Sequence, residues 1–207
     1  MLPEEAVWLG EALADVGAGR VVLDVGSSTE AFRRLEQPHI DFHVMRPLRQ
    51  RGARIVHVDR KDAEGVDVVH DVTGTQPLPA ELRASGDVVL CANMFEHVLD
   101  RPALARRLEE LVAPEGRLVV TVPKLYPFHE DPIDTMFRPS PAEVSALFPR
   151  LTPVREQVVP AALSPVRFPD GPLVPLARRF AREVLHRLKH RVRPPERYEV
   201  SAVVLQA

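Results

Sequence analysis

Cysteine is almost absent: Cys91 is the single one in 207 residues, so no intrachain disulfide can form. At this length a full hydrophobic core does not need one. Aromatic residues occupy 5% of positions, leaving little material for the stacking platforms that hold single-stranded nucleic acid. No apolar run approaches the roughly 18 residues of a membrane-spanning helix. The opening residues Met1-Leu2-Pro3-Glu4-Glu5 are acidic where a secretory leader carries a basic segment. A single cytoplasmic domain with a reduced thiol and no nucleic-acid partner is the expectation. Net charge is also scarce, with 27 basic against 29 acidic side chains, or −2. That total excludes a uniformly basic surface but conceals an asymmetry. Residues 160–197 carry nine basic and three acidic side chains, net +6, which leaves −8 elsewhere.

What is present is an alternation of strand and helix. Ala6, Leu9, Leu13 and Val16 recur at helical spacing over 4–16, and Gly17 and Gly19 close that segment. Val21-Val22-Leu23-Asp24-Val25 then reads as a strand covered on both faces, as do runs at 55–58, 66–69, 87–91 and 118–122. The clearest helix is predicted from Asp100 to Val112, with Asp100 as N-cap and Pro114-Glu115-Gly116 ending it. Residues 37–52 read as an inserted loop. Twenty-one prolines, about twice average usage, crowd into 123–175 and exclude long helices there. Beyond them come a helix starting at Ser140-Pro141, a strand at 151–158, a basic amphipathic helix over 173–193 and a closing strand at 198–205. The pattern predicts an α/β fold with an open, mostly parallel sheet, whose ligands sit at the carboxyl ends of the strands.

Two acidic residues and a glycine fall at those ends. Gly26 follows the first strand and permits close backbone approach, while the N–H groups of the next turn can hold a carboxylate or phosphate. A plain connecting turn explains the same residues. Asp59 ends the second strand, where an acid can accept both ribose hydroxyls. Asp71, at the end of the third, can meet an exocyclic amine, and either acid can equally be a solvated loop carboxylate. The nicotinamide fingerprint Gly-x-Gly-x-x-Gly is not met, because Gly26-Ser27-Ser28-Thr29-Glu30-Ala31 supplies its first glycine alone.

Leu23-Asp24-Val25-Gly26-Ser27, His57-Val58-Asp59, Asp71, Cys91-Ala92-Asn93-Met94-Phe95-Glu96-His97-Val98 and Leu111-Val112-Ala113-Pro114-Glu115-Gly116-Arg117-Leu118 form an ordered set. It resembles the motifs of class I S-adenosylmethionine-dependent methyltransferases over about residues 20–123. A weaker likeness continues through Tyr126-Pro127-Phe128-His129 to Asp134 and Arg138. The resemblance implies a Rossmann-like seven-stranded sheet with helices on both faces and an antiparallel last strand. It also implies one methyltransferase domain over 1–207, comprising a cofactor-binding core at 20–123, a loop-rich substrate or lid region at 124–197 and the closing strand at 198–207. Bound S-adenosylmethionine is implied as well. Asp24, Gly26, Ser27, Ser28 and Thr29 would meet its methionine part, Asp59 the ribose, Asp71 and Val72 the adenine, and backbone at Asn93 and Met94 the sulfonium side. The chain departs from the family where Ser28 and Glu30 replace glycines. A carboxylate at Glu30 would oppose that of the cofactor unless it turns away.

In-line methyl transfer needs chiefly a positioned acceptor, with a base where that acceptor carries a proton. His97 and His129 are the candidate bases, each with a bland alternative: helix capping for His97 and loop ordering for His129. Glu96, His97 and His129 also make a reasonable divalent-ion ligand set, of the kind that a small RNA-methylating branch of the family uses. Asn93 stands where that branch has a further acid, and no metal is expected. The acceptor is expected to be a small molecule or a saccharide or lipid-linked precursor. The opposing reading is a catalytically silent relative that binds a partner or an anionic membrane through its basic helix.

Overall fold

The computed structural model describes residues 1–129, 133–161 and 198–207. Seven strands form one sheet: β1 (Val21–Val25), β2 (Arg54–Asp59), β3 (Val68–Val69), β4 (Gly86–Ala92), β5 (Val112–Leu125), β6 (Thr152–Ala161) and β7 (Tyr198–Gln206). Their spatial order is β3-β2-β1-β4-β5-β7-β6. Strands β1 to β5 pair in parallel, while β7 runs antiparallel to both β5 and β6. This is the Rossmann-like sheet expected from the sequence, including the antiparallel closing strand.

Strand geometry explains why the central runs are apolar throughout. Successive side chains point to opposite faces, and both faces are covered. Leu23, Val25, Val89, Cys91, Leu118 and Val120 lie in one buried cluster with Leu104, Leu108 and Leu111 of α4 (Arg101–Leu111) and Val144 of α5 (Pro141–Ser145). Val22, Val88, Leu90 and Val119 lie in the other with Trp8 and Leu9 of α1 (Pro3–Ala12), and with Ile40, Val44, Met45 and Leu48. Helices therefore flank both faces.

Several boundaries differ from expectation. Helix α1 stops at Ala12, although Leu13 and Val16 remain buried beyond it. The third strand shrinks to two residues, and the strand expected at 151–158 is β6, Thr152–Ala161. Residues 37–52 are chiefly helical rather than loop. Helices α2 (Pro38–Ile40) and α3 (Arg46–Gln50) join wide, π-type turns over Phe32–Glu36 and Asp41–Met45. Prolines at the first turns of α2 and α3 occupy positions where an N–H has no intrahelical partner, so they start helices here. Asp100 caps α4 as expected, its Oδ1 accepting from the Ala103 N–H at 3.0 Å. Pro114-Glu115-Gly116 do not follow that helix as a separate turn; they lie inside β5. The register slips between Gly86 and Val88, and Glu115 takes a φ of +61°, so a bulge absorbs them. The predicted basic helix 173–193 lies outside the described residues.

Candidate functional site

The β1 turn is built by backbone and buried charge. Gly26 N–H and Ser27 N–H both donate to the Val58 carbonyl, at 2.9 and 3.2 Å. Gly26 has a φ of +73° and Ser28 one of +57°. Ser28 thus holds, with a side chain, the left-handed conformation that glycine adopts freely. Asp59, at the end of β2, accepts from Ser28 N–H at 2.7 Å and from Lys61 N–H at 2.9 Å. Lys61 Nζ also donates to Ser28 Oγ at 3.2 Å. Thr29 Oγ1 accepts from Phe32 N–H and starts the helical segment that follows. Glu30 turns outward to an ion pair with Arg34, which holds its carboxyl below the usual range.

Arg33 is the principal residue that sequence reading missed. Its guanidinium is buried and donates to the carbonyls of Ser27 (2.9 Å), Ser28 (2.7 Å) and Gly65 (2.6 Å). Burial lowers its pKa, an effect that Asp24 and two further acids oppose. One side chain thereby fixes both halves of the turn. The remaining signal was weak: an arginine a few residues past a glycine turn resembles any helix-surface arginine.

The predicted residues come together at the strand ends, but not all in the same way. Asp24 is buried, with Oδ2 accepting from His57 Nδ1 at 2.8 Å across the β1–β2 pair. Asp71 accepts from both the N–H and the Oγ1 of Thr73, and that hydroxyl holds its carboxyl below the usual range; Val72 is buried beside it. Met94 reaches the Gly26 turn closely: a Cβ added at Gly26 would stand 3.2 Å from its Sδ. Cys91 is buried in the first core cluster, and burial pushes its thiol up. Asn93 has a φ of +51°, and its Nδ2 donates to Glu5 Oε1 at 2.7 Å. Glu5, from α1, is fully buried and also accepts from Thr121 Oγ1 (2.6 Å) and Leu2 N–H (2.9 Å). It ties the helix to the ends of β4 and β5, a link that spans 116 residues of sequence to Thr121.

Beside this lies an imidazole pair. The rings of His97 and His129 are 5.1 Å apart, and Tyr126 stands 5.6 Å from His129. His97 Nδ1 meets the Ile133 carbonyl at 2.5 Å, and its Nε2 faces Glu96 Oε1 at 3.7 Å. Glu96 is buried, and its Oε2 has no hydrogen-bond partner among the described residues. Burial, with Glu5 nearby, pushes its carboxyl up to about 8. Glu96, His97 and His129 offer donor atoms all within 4.8 Å of one another, a set of ligand types suited to a divalent ion. His129 N–H donates to Asp134 Oδ2 at 3.1 Å, and its Nε2 lies 3.9 Å from the same oxygen. Arg138 clamps Asp134 through both Nη atoms and reaches the Tyr126 carbonyl. Burial would raise the Asp134 carboxyl, but the Arg138 bonds and two backbone N–H groups outweigh it and hold it low.

Known proteins share this architecture. Burkholderia thailandensis 1,6-didemethyltoxoflavin-N1-methyltransferase, solved with 1,6-didemethyltoxoflavin and S-adenosylhomocysteine, is 17% identical with a TM-score of 0.53. The match covers 98% of this chain and 78% of that one. Coclaurine N-methyltransferase, bound to N-methylheliamine and S-adenosylhomocysteine, is 16% identical with a TM-score of 0.59, over 99% and 72%. The N-methyltransferase NodS of Bradyrhizobium japonicum, in complex with S-adenosylhomocysteine, is 13% identical with a TM-score of 0.53, over 98% and 85%. At these identities the likeness is one of fold. No curated protein sequence matches the chain. A family model described as a methyltransferase domain matches residues 8–152, which takes in β1 to β5, both strand-end acids and the two histidines. The chain therefore belongs to the methyltransferase-domain family.

Proposed function

We propose that the protein is an S-adenosylmethionine-dependent methyltransferase acting on a small-molecule or saccharide acceptor, lipid-linked ones included. The observation that carries this reading is the convergence of the Gly26 turn, Asp59 and Met94 at the carboxyl ends of the parallel strands. Its acceptor groups fit the cofactor. The Gly26, Ser27 and Ser28 N–H groups are already taken by Val58 and Asp59, but Asp59 keeps acceptor capacity beyond its two backbone bonds for the ribose hydroxyls of the cofactor. The outward turn of Glu30 removes the like charge that would oppose it.

When bound, S-adenosylmethionine supplies an electrophilic methyl on a cationic sulfur. Asp24, Gly26, Ser27, Ser28 and Thr29 would line its methionine part, Asp59 the ribose, Asp71 and Val72 the adenine, and Asn93 and Met94 the sulfonium side. The acceptor would approach past His97 and His129. His129, ordered by Asp134, takes the proton released by an acceptor hydroxyl or ammonium. His97, held at Nδ1 by the Ile133 carbonyl, orients the acceptor or shares that proton. Positioning supplies most of the acceleration, with a general base adding about 10²–10⁴-fold.

Turnover of methyl-labelled donor with metabolite extracts tests the reading. His129→Ala lowering turnover by about a hundredfold with donor affinity unchanged supports it. Full turnover in that variant removes the base assignment.

A further inference from the structure

Most large apolar side chains exposed among the described residues fall on the stretches of chain that flank the histidine pair: Leu99 (79% exposed), Leu125, Phe128, Ile133 (57%) and Met136 (52%). Their proximity follows from the chain path. Thr135 N–H donates to the Glu96 carbonyl, Arg101 donates to Thr135 Oγ1, and the Ile133 carbonyl meets His97 Nδ1. Residues 133–135 therefore run along 96–101, the stretch that carries Leu99. Leu125 and Phe128 lie on the stretch leading from β5 to His129. An apolar rim of this kind marks an interaction surface.

Charge indicates what covers it. Ala161 of β6 is paired in register with Tyr198 of β7, so residues 162–197 leave and rejoin the sheet at one point. That point is beside the site, because the Tyr198 ring lies 5.2 Å from Tyr126, which neighbours His129. The sequence of 162–197 carries nine basic and three acidic side chains. The apolar rim therefore lies at the end of the sheet where a net charge of +6 is tethered. A second copy presenting the same charge would be repelled, whereas an anionic bilayer attracts both features.

We propose that Leu99, Ile133 and Met136 form a docking surface for an anionic bilayer. It sets the strand ends against the headgroup layer, so that an acceptor carried in the membrane meets His129 there. The proposal rests on the reading of this end as the acceptor side.

The test is co-sedimentation of the full chain with vesicles of phosphatidylcholine alone or with about one-third phosphatidylglycerol, alongside calorimetry with S-adenosylhomocysteine. Binding is expected to the anionic vesicles and to fall steeply with salt. A Leu99→Ser/Ile133→Ser variant is expected to bind them about tenfold less, with melting temperature and S-adenosylhomocysteine affinity unchanged. Failure to bind anionic vesicles at low salt overturns the proposal, as does undiminished binding by that variant. A dimer that Leu99→Ser dissociates overturns it too, since a second copy would then cover the rim. Normal cofactor binding with no vesicle binding defeats this surface alone; vesicle binding without cofactor binding defeats the proposed function alone.

Discussion

Glu96 couples the candidate site to stability in a way that pH exposes. Its carboxyl is 1% exposed and its pKa rises from 4.5 to about 8, because burial penalises the charged form. The unfolded chain releases this proton near 4.5, whereas the folded one keeps it to about 8. Between those values the folded state binds more protons, so stability falls as pH rises. At about 1.4 kcal/mol per pH unit, the interval sets an upper bound of about 5 kcal/mol. Glu96→Gln removes the ionisation while keeping size and polarity. Urea denaturation at pH 5 and pH 8 should show the variant within about 1 kcal/mol of the parent at pH 5 and about 2–4 kcal/mol more stable than the parent at pH 8. Parallel stability curves for the two proteins across this interval would refute the reasoning.

Arg33→Met leaves three carbonyls without their buried donor and should cost about 3 kcal/mol in denaturant titration; Arg33→Lys, lacking the planar fork, should recover only part of it. A loss under about 1 kcal/mol would show that the turn holds itself. Gly26→Ala imposes a Cβ at φ +73° and 3.2 Å from Met94 Sδ, so it should lower stability by about 1–2 kcal/mol and weaken S-adenosylhomocysteine binding in calorimetry; unchanged values for both would contradict the close approach. Asp87 accepts from Val21 N–H and Arg20, and those bonds depress its pKa. Its stabilisation is present above the unfolded value near ~3.9 and lost as pH falls through the lower folded one. Asp87→Asn should therefore melt earlier than the parent at pH 7 and converge with it below about pH 3.

The strands were legible because burial on both faces leaves unbroken β-branched runs, as at Val21–Val25. Asp100 was legible as a cap because its role is local, reaching Ala103 N–H three residues on. The clustering of Gly26, Asp59 and Met94 followed from parallel strands ending side by side. Glu5 and Arg33 were not legible, since each works through partners that only the fold brings near: Thr121 and Asn93 for one, Gly65 for the other. The segment 37–52 was read as an inserted loop, yet its two prolines stand where helices begin. The bulge at 113–116 was hidden because Pro-Glu-Gly reads as a turn whether it ends a helix or bends a strand.

The central claim is that the Gly26 turn and Asp59 hold S-adenosylmethionine. Calorimetry with S-adenosylmethionine and S-adenosylhomocysteine tests it most directly, on the parent chain and on Asp59→Ala and Gly26→Arg variants first shown to fold. Saturable binding of both ligands by the parent, lost in each variant, is the predicted result. No binding by the parent at millimolar ligand, or binding that both variants retain, would contradict it.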